Sequence, residues 1–113
     1  MTIIGGCHYP QSPYNSIVEF DINKLKLSNS TTMKYGLVSH DSVACKDKIV
    51  IFGGATGGDF NSNKIVLSGG KVDYQKGHNA VGCVACEDEK GFYIIGGVSG
   101  PEALNGVVIY RKG

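Results

Sequence analysis

The chain has 113 residues, 42% of them apolar and 19% charged, with a formal net charge of +1. This is the composition of one core-forming domain or less, and it excludes a disordered tail. A single arginine and no basic stripe argue against binding nucleic acid by phosphate neutralisation, and no apolar run approaches the roughly 20 residues of a membrane-spanning helix. Neither nucleic acid nor a membrane is expected as a partner.

Seventeen glycines against three prolines punctuate runs of Val, Ile, Tyr and Phe. No 3.6-residue periodicity persists over a helix length, so an all-β chain is expected. The start, MTIIGGCHYP, has no basic segment and breaks at Gly5-Gly6, so it does not read as a signal peptide. TIIGG (2–6) is a strand stopped by a glycine pair, followed by the loop CHYPQSPYN (7–15), the strand NSIVEFD (15–21) and a further strand at KLKLS (24–28). The segment SNSTTMKYGLVSH (28–40) is expected to be a connection. SVAC (42–45), a tight turn at KDK, and IVIFGG (49–54) make a hairpin. The loop ATGGDFNSN (55–63) and strands NKIVLS (63–68) and KVDYQ (71–75) follow. After the connection QKGHNA (75–80) come CVAC (83–86), the turn EDEKG, FYIIGG (92–97), the loop VSGPEALN (98–105) and NGVVIY (105–110).

The order repeats. The doublets Gly5-Gly6, Gly53-Gly54 and Gly96-Gly97 begin 48 and then 43 residues apart, counted from 5 to 53 and from 53 to 96. Asn15, Asn63 and Asn105 follow them at matching distances, and Val43-Ala44-Cys45 corresponds to Val84-Ala85-Cys86. Units of about 40 to 50 residues, each with up to four antiparallel strands, have the arithmetic of a propeller blade. The expected units are a partial blade at 1–34, a full blade at 35–75 and a partial blade at 76–113.

This pattern resembles kelch repeats. The first unit carries the likeness best, with Ile3-Ile4-Gly5-Gly6, Asn15, Ile17 and Phe20-Asp21, and with Leu27 where the kelch tryptophan stands. The chain departs from the pattern in lacking tryptophan and in having Leu67-Ser68 and Tyr110-Arg111 where an aromatic-Asp pair is expected. The resemblance implies kelch-type β-propeller blades of four antiparallel strands in an incomplete propeller. Propellers close with about four to eight blades. Three readings remain open: a piece of a longer polypeptide, favoured; a chain that pairs with itself or with another chain to complete the ring; or a degraded remnant. The glycine pairs are expected to turn the strand end sharply, and the asparagines to cap the next strand through side-chain to backbone bonds.

Cys83 and Cys86 have the two-residue spacing of zinc and redox motifs, but on a strand they face opposite sides, so no metal is expected. Cys86 and Cys45 are expected at matching buried positions, as small apolar residues. Free thiols fit a reducing, cytoplasmic setting. GGATGGDFNSN (53–63) lacks the Gly-Lys-Ser/Thr ending of a phosphate loop, so no nucleotide or other cofactor is expected. In a propeller the loops after the glycine pairs and the connections between blades emerge on one face. That gathers Tyr9, Tyr14, Tyr35, His40, Phe60 and His78 as candidate binding residues, with Tyr14 and Phe60 the first expected to pack between blades instead.

Two functions follow from the resemblance. One is recognition of a protein or peptide by the loop face, as in most kelch propellers, without catalysis. The other is sugar chemistry, since IVIFGGATGGDFNSNKIVL is similar to repeats of the sialic acid (N-acetylneuraminate) mutarotases. Galactose-oxidase-like enzymes share the fold, but no copper site of tyrosines, histidine and cysteine can be assembled from this sequence.

Overall fold

The computed structural model describes residues 1–9, 12–45, 47–77, 82–99, 102–103 and 106–111. Every regular element among them is a strand, and every strand pairing is antiparallel. The first sheet runs in the order β1 (Thr2–Ile4), β2 (Ser16–Asp21), β3 (Lys26–Thr32). The second runs β4 (Val38–Cys45), β5 (Lys48–Ala55), β6 (Asn63–Ser68), β7 (Lys71–Lys76). The third joins β8 (Val84–Glu87) and β9 (Gly91–Ile95) to β12 (Val107–Arg111), and a small ribbon pairs β10 (Val98–Ser99) with β11 (Glu102–Ala103). These are propeller-type blades of up to four strands, and the set of sheets does not close on itself.

The hairpins follow the glycine and aspartate chemistry of their turns. Asp21 Oδ1 accepts from the amides of Asn23 and Lys24, and Leu25 takes a left-handed φ of 55°. The turn therefore occupies 22–25, and β3 begins at Lys26 instead of Lys24. It then runs on to Thr32, through residues expected to form a connection. Those residues are exposed, and their strand geometry comes from the ladder with β2, not from burial. A bulge between Glu19 and Phe20 adjusts the register. Likewise β4 starts at Val38, earlier than the sequence pattern suggests, with Ser39 at φ 57°.

The three glycine doublets share one backbone conformation. Their φ values are 62° and 94° at Gly5-Gly6, 64° and 93° at Gly53-Gly54, and 67° and 94° at Gly96-Gly97. Successive positive values are open to glycine at little cost and strained for other residues.

Two apolar layers hold the sheets together. Between the first and second lie Ile17, Met33, Leu37, Ile51 and Ile65, with Ile4, Ile49, Leu67 and Val72 packed around them. Between the second and third lie Val43, Val50, Phe52, Cys83 and Ile94, with Val66 and Ala85 alongside. Alternation along β5 sends Ile51 to one layer and Val50 and Phe52 to the other. Asp41 reinforces the second junction: its Oδ2 accepts the Ala85 amide at 2.7 Å.

Cys83 is buried and Cys86 exposed, so the CxxC pair does point to opposite sides. The exposure of Cys86 corrects the expectation that it is buried. It projects from the side of the third sheet that no described element covers. The Cys45 side chain lies outside the described residues, as do His78 and Asn105.

Candidate functional site on the loop face

The connection 33–37 threads between two loops. Toward the first, the Leu37 carbonyl accepts the Gly6 amide at 2.9 Å, the Tyr14 carbonyl accepts the Leu37 amide at 3.1 Å, and the Asn15 carbonyl accepts the Met33 amide at 2.8 Å. Toward the second, Tyr35 carries the link through its hydroxyl. It donates to Asn61 Oδ1 at 2.7 Å and accepts from Asn63 Nδ2 at 2.9 Å.

Asn61 is the centre of this network. It is 1% exposed and its bonding capacity is filled. Its Nδ2 donates to the carbonyls of Gly53 and Asn63, at 2.8 and 2.9 Å, and its Oδ1 also accepts the Asn63 amide at 3.1 Å. The role expected of Asn63, bonding to backbone, is performed by Asn61, while Asn63 reaches Tyr35. In the first sheet Asn15 Nδ2 does bond to backbone, at the Met33 carbonyl, 3.4 Å away.

The loop that carries Asn61 is closed on itself. The Asp59 carbonyl accepts the Thr56 amide and hydroxyl, Asp59 Oδ1 accepts the Phe60 amide, and the Gly54 carbonyl accepts the Asn61 amide. Against it, Tyr35, Thr56, Asp59, Phe60, Asn61, Ser62 and Asn63 line an open cavity of about 300 Å³. Its walls combine two aromatic rings with hydroxyls, amides and one carboxylate. Burial pushes the Tyr35 phenol above its ordinary pKa, partly offset by the Asn63 bond. Tyr35 is thus a neutral donor and acceptor at physiological pH. The Tyr35 ring also lies tilted on Tyr74, 5.8 Å between centroids, and Tyr74 in turn accepts the Lys34 amide at 2.6 Å.

The structure brings Tyr35 and Phe60 together at this cavity. Tyr9 and Tyr14 stand apart from it on the neighbouring loop, 60% and 52% exposed, with Tyr9 edge-on to His8 at 4.5 Å. The ring that packs between sheets is Tyr35, against the first apolar layer, whereas Tyr14 remains exposed. His40 is half-buried, beside Gly5 and Gly54 at the junction of the first two sheets. Its Nδ1 is buried and bonds to no group among the described residues. Burial holds the imidazole below its ordinary pKa, against the backbone bond at Ile4 and the Asp41 charge.

Asn61, Tyr74 and Asp41 are the residues that sequence reasoning missed. Only Asn61 carried a signal, as a second asparagine two positions before Asn63. Among the described residues no group of three His, Cys, Asp or Glu could hold a metal ion, and no helix is long and apolar enough to cross a membrane.

No protein-family model matches the chain, and no curated protein does. Solved structures do match. One of them, described as the structure of YjhT, superposes on 96% of this chain with a TM-score of 0.77 at 18% identity. The fold is propeller-type. The chain spans 38% of the length of that structure, so the likeness concerns blades and not a whole propeller. The blade architecture places the cavity and the exposed tyrosines where the loops after β1 and β5 emerge.

Proposed function

We propose that the chain is a kelch-type recognition module that binds a protein or peptide through its loop face. The observation that carries this reading is the presence of two large exposed rings, Tyr9 and Tyr14, with the Tyr14 backbone bonded to Gly6 and Leu37. Exposed aromatic side chains on loops supply large contact area with few rotatable bonds, and they are common anchors of recognition. Selection of displayed peptides against the chain tests it. Enriched peptides should lose binding to the Tyr9→Ala and Tyr14→Ala variants. Enrichment indifferent to both substitutions removes the reading.

A second reading is favoured by the cavity. Its volume suits a small polyhydroxylated ligand better than a peptide side chain run, and its Tyr35, Phe60, Asp59 and Asn63 walls offer stacking and hydrogen bonds. Together with the resemblance to the sialic acid mutarotases, this supports a sugar-binding site at the β5–β6 loop. Saturation-transfer NMR with N-acetylneuraminate tests it. No transfer to the sugar, or transfer unchanged in Phe60→Ala, eliminates it.

A further inference from the structure

The walls of the loop-face cavity are not electrically neutral. The Asn61 amide and the Tyr35 hydroxyl are used up on each other, on Asn63 and on backbone carbonyls. Two oxygens are left over. Asp59 Oδ1 accepts the Phe60 amide, but its Oδ2 accepts no bond among the described residues. Asn63 donates to Tyr35 through Nδ2, and its Oδ1 likewise accepts none among them. A ligand therefore meets a carboxylate oxygen, an amide oxygen and the rings of Tyr35 and Phe60. No wall residue is cationic. Lys76, opposite Asn63 in the β6–β7 ladder, is exposed and lies outside the walls, and Lys34 holds its Nζ 4.5 Å over the Tyr74 ring. All the walls come from the β5–β6 loop and Tyr35, so their charge does not depend on what packs against the first or third sheet.

Such a set selects by charge. A carboxylate brought in beside Asp59 would give up hydration and find no counter-charge. A cationic donor gains on each count: its bonds to Asp59 are charge-assisted, and the faces of aromatic rings attract positive charge. A guanidinium fits best among cations. It is planar, carries five donors in a fixed fork, sheds water more easily than an ammonium and stacks on aromatic rings. A cavity of about 300 Å³ has room for one such side chain.

We infer that this cavity receives the guanidinium of an arginine in a bound peptide. The inference rests on the recognition reading and gives it a specificity: Asp59 Oδ2 and Asn63 Oδ1 accept from the guanidinium, and Tyr35 and Phe60 supply the ring contacts. Asn61 does not touch the ligand. It holds Tyr35 and the loop in place.

NMR titration of the full chain with N-acetyl-arginine amide tests this, with the citrulline analogue, its uncharged near-isostere, and N-acetylneuraminate as comparisons. The arginine probe should bind saturably and shift the Phe60 and Asn63 amides, and the citrulline probe should bind about tenfold more weakly. Asp59→Asn keeps an acceptor for the Phe60 amide and should weaken the arginine probe about tenfold. Asp73→Asn, at an exposed carboxylate on β7, should leave it unchanged, and the amide spectra of both variants should match the wild type beyond the substituted segment. Equal affinity for the arginine and citrulline probes, indifference to Asp59→Asn, no saturable shift, or preference for N-acetylneuraminate at the same amides overturns the inference. Displayed peptides that need Tyr9 and Tyr14 but neither an arginine nor Asp59 would also overturn it while leaving the recognition reading intact, so the two fail separately.

Discussion

Gly5 and Leu37 meet backbone to backbone across the junction of the first two sheets. The Leu37 carbonyl accepts the amide of the next residue, Gly6, at 2.9 Å, and a Cβ built on Gly5 would collide with that same oxygen. The first glycine of the pair thus serves close approach as well as left-handed backbone at φ 62°. Gly5→Ala combines both penalties and should destabilise by about 3 kcal/mol, measured by urea unfolding. Gly58 has open space around it and no left-handed φ, so Gly58→Ala should be neutral or stabilise by up to about 1 kcal/mol. Equal effects at the two sites would refute the close-approach argument.

Truncating Asn61 should be more damaging than truncating any other loop asparagine. Asn61→Ala strands the Gly53 carbonyl, the Asn63 amide and the Tyr35 hydroxyl, and should cost about 3 kcal/mol. Tyr35→Phe removes the hydroxyl's two bonds, to Asn61 Oδ1 and from Asn63 Nδ2, and should cost about 2 kcal/mol. Because the residues share a network, the double variant should lose less than the sum, and a double-mutant cycle by urea denaturation reads this directly. Strict additivity would show that the Tyr35 bond is energetically idle.

The strand order was legible because glycine pairs and β-branched runs mark strand ends locally. β5, β6, β7 and β9 lie close to where the residues place them. The boundaries of β3 and β4 were not legible, because SNSTT and VSHD have loop composition and become strand only through partners elsewhere in the chain. The loop-face cavity was half legible. Tyr35 and Phe60 are conspicuous aromatics on segments 25 residues apart, but Asn61 looks like any polar loop residue until its burial is seen. Asp41, which bonds an amide 44 positions away, leaves no trace in a one-dimensional pattern.

That bond gives a third expectation. Asp41→Ala leaves the Ala85 amide unpaired at the second junction and should destabilise by about 2 kcal/mol. The effect should be directional: hydrogen exchange should accelerate most at Ala85 and across the third sheet, while the first sheet retains its protection. Uniform acceleration over all three sheets would indicate global unfolding and contradict a junction role.

His40 should make stability depend on pH. Its folded pKa lies below the ordinary value, chiefly through burial, so the unfolded chain binds the proton more readily. The contribution is present above the unfolded pKa and is lost as pH falls below about 6.5 toward the folded value. Urea midpoints measured between pH 8 and 5 should therefore decline on the acid side. His40→Gln, which cannot titrate, should flatten that part of the profile even if it lowers stability throughout. Every other titratable group is common to both proteins, so the difference between the two curves isolates His40. Parallel curves would mean that the buried imidazole is not a proton-linked element of this junction.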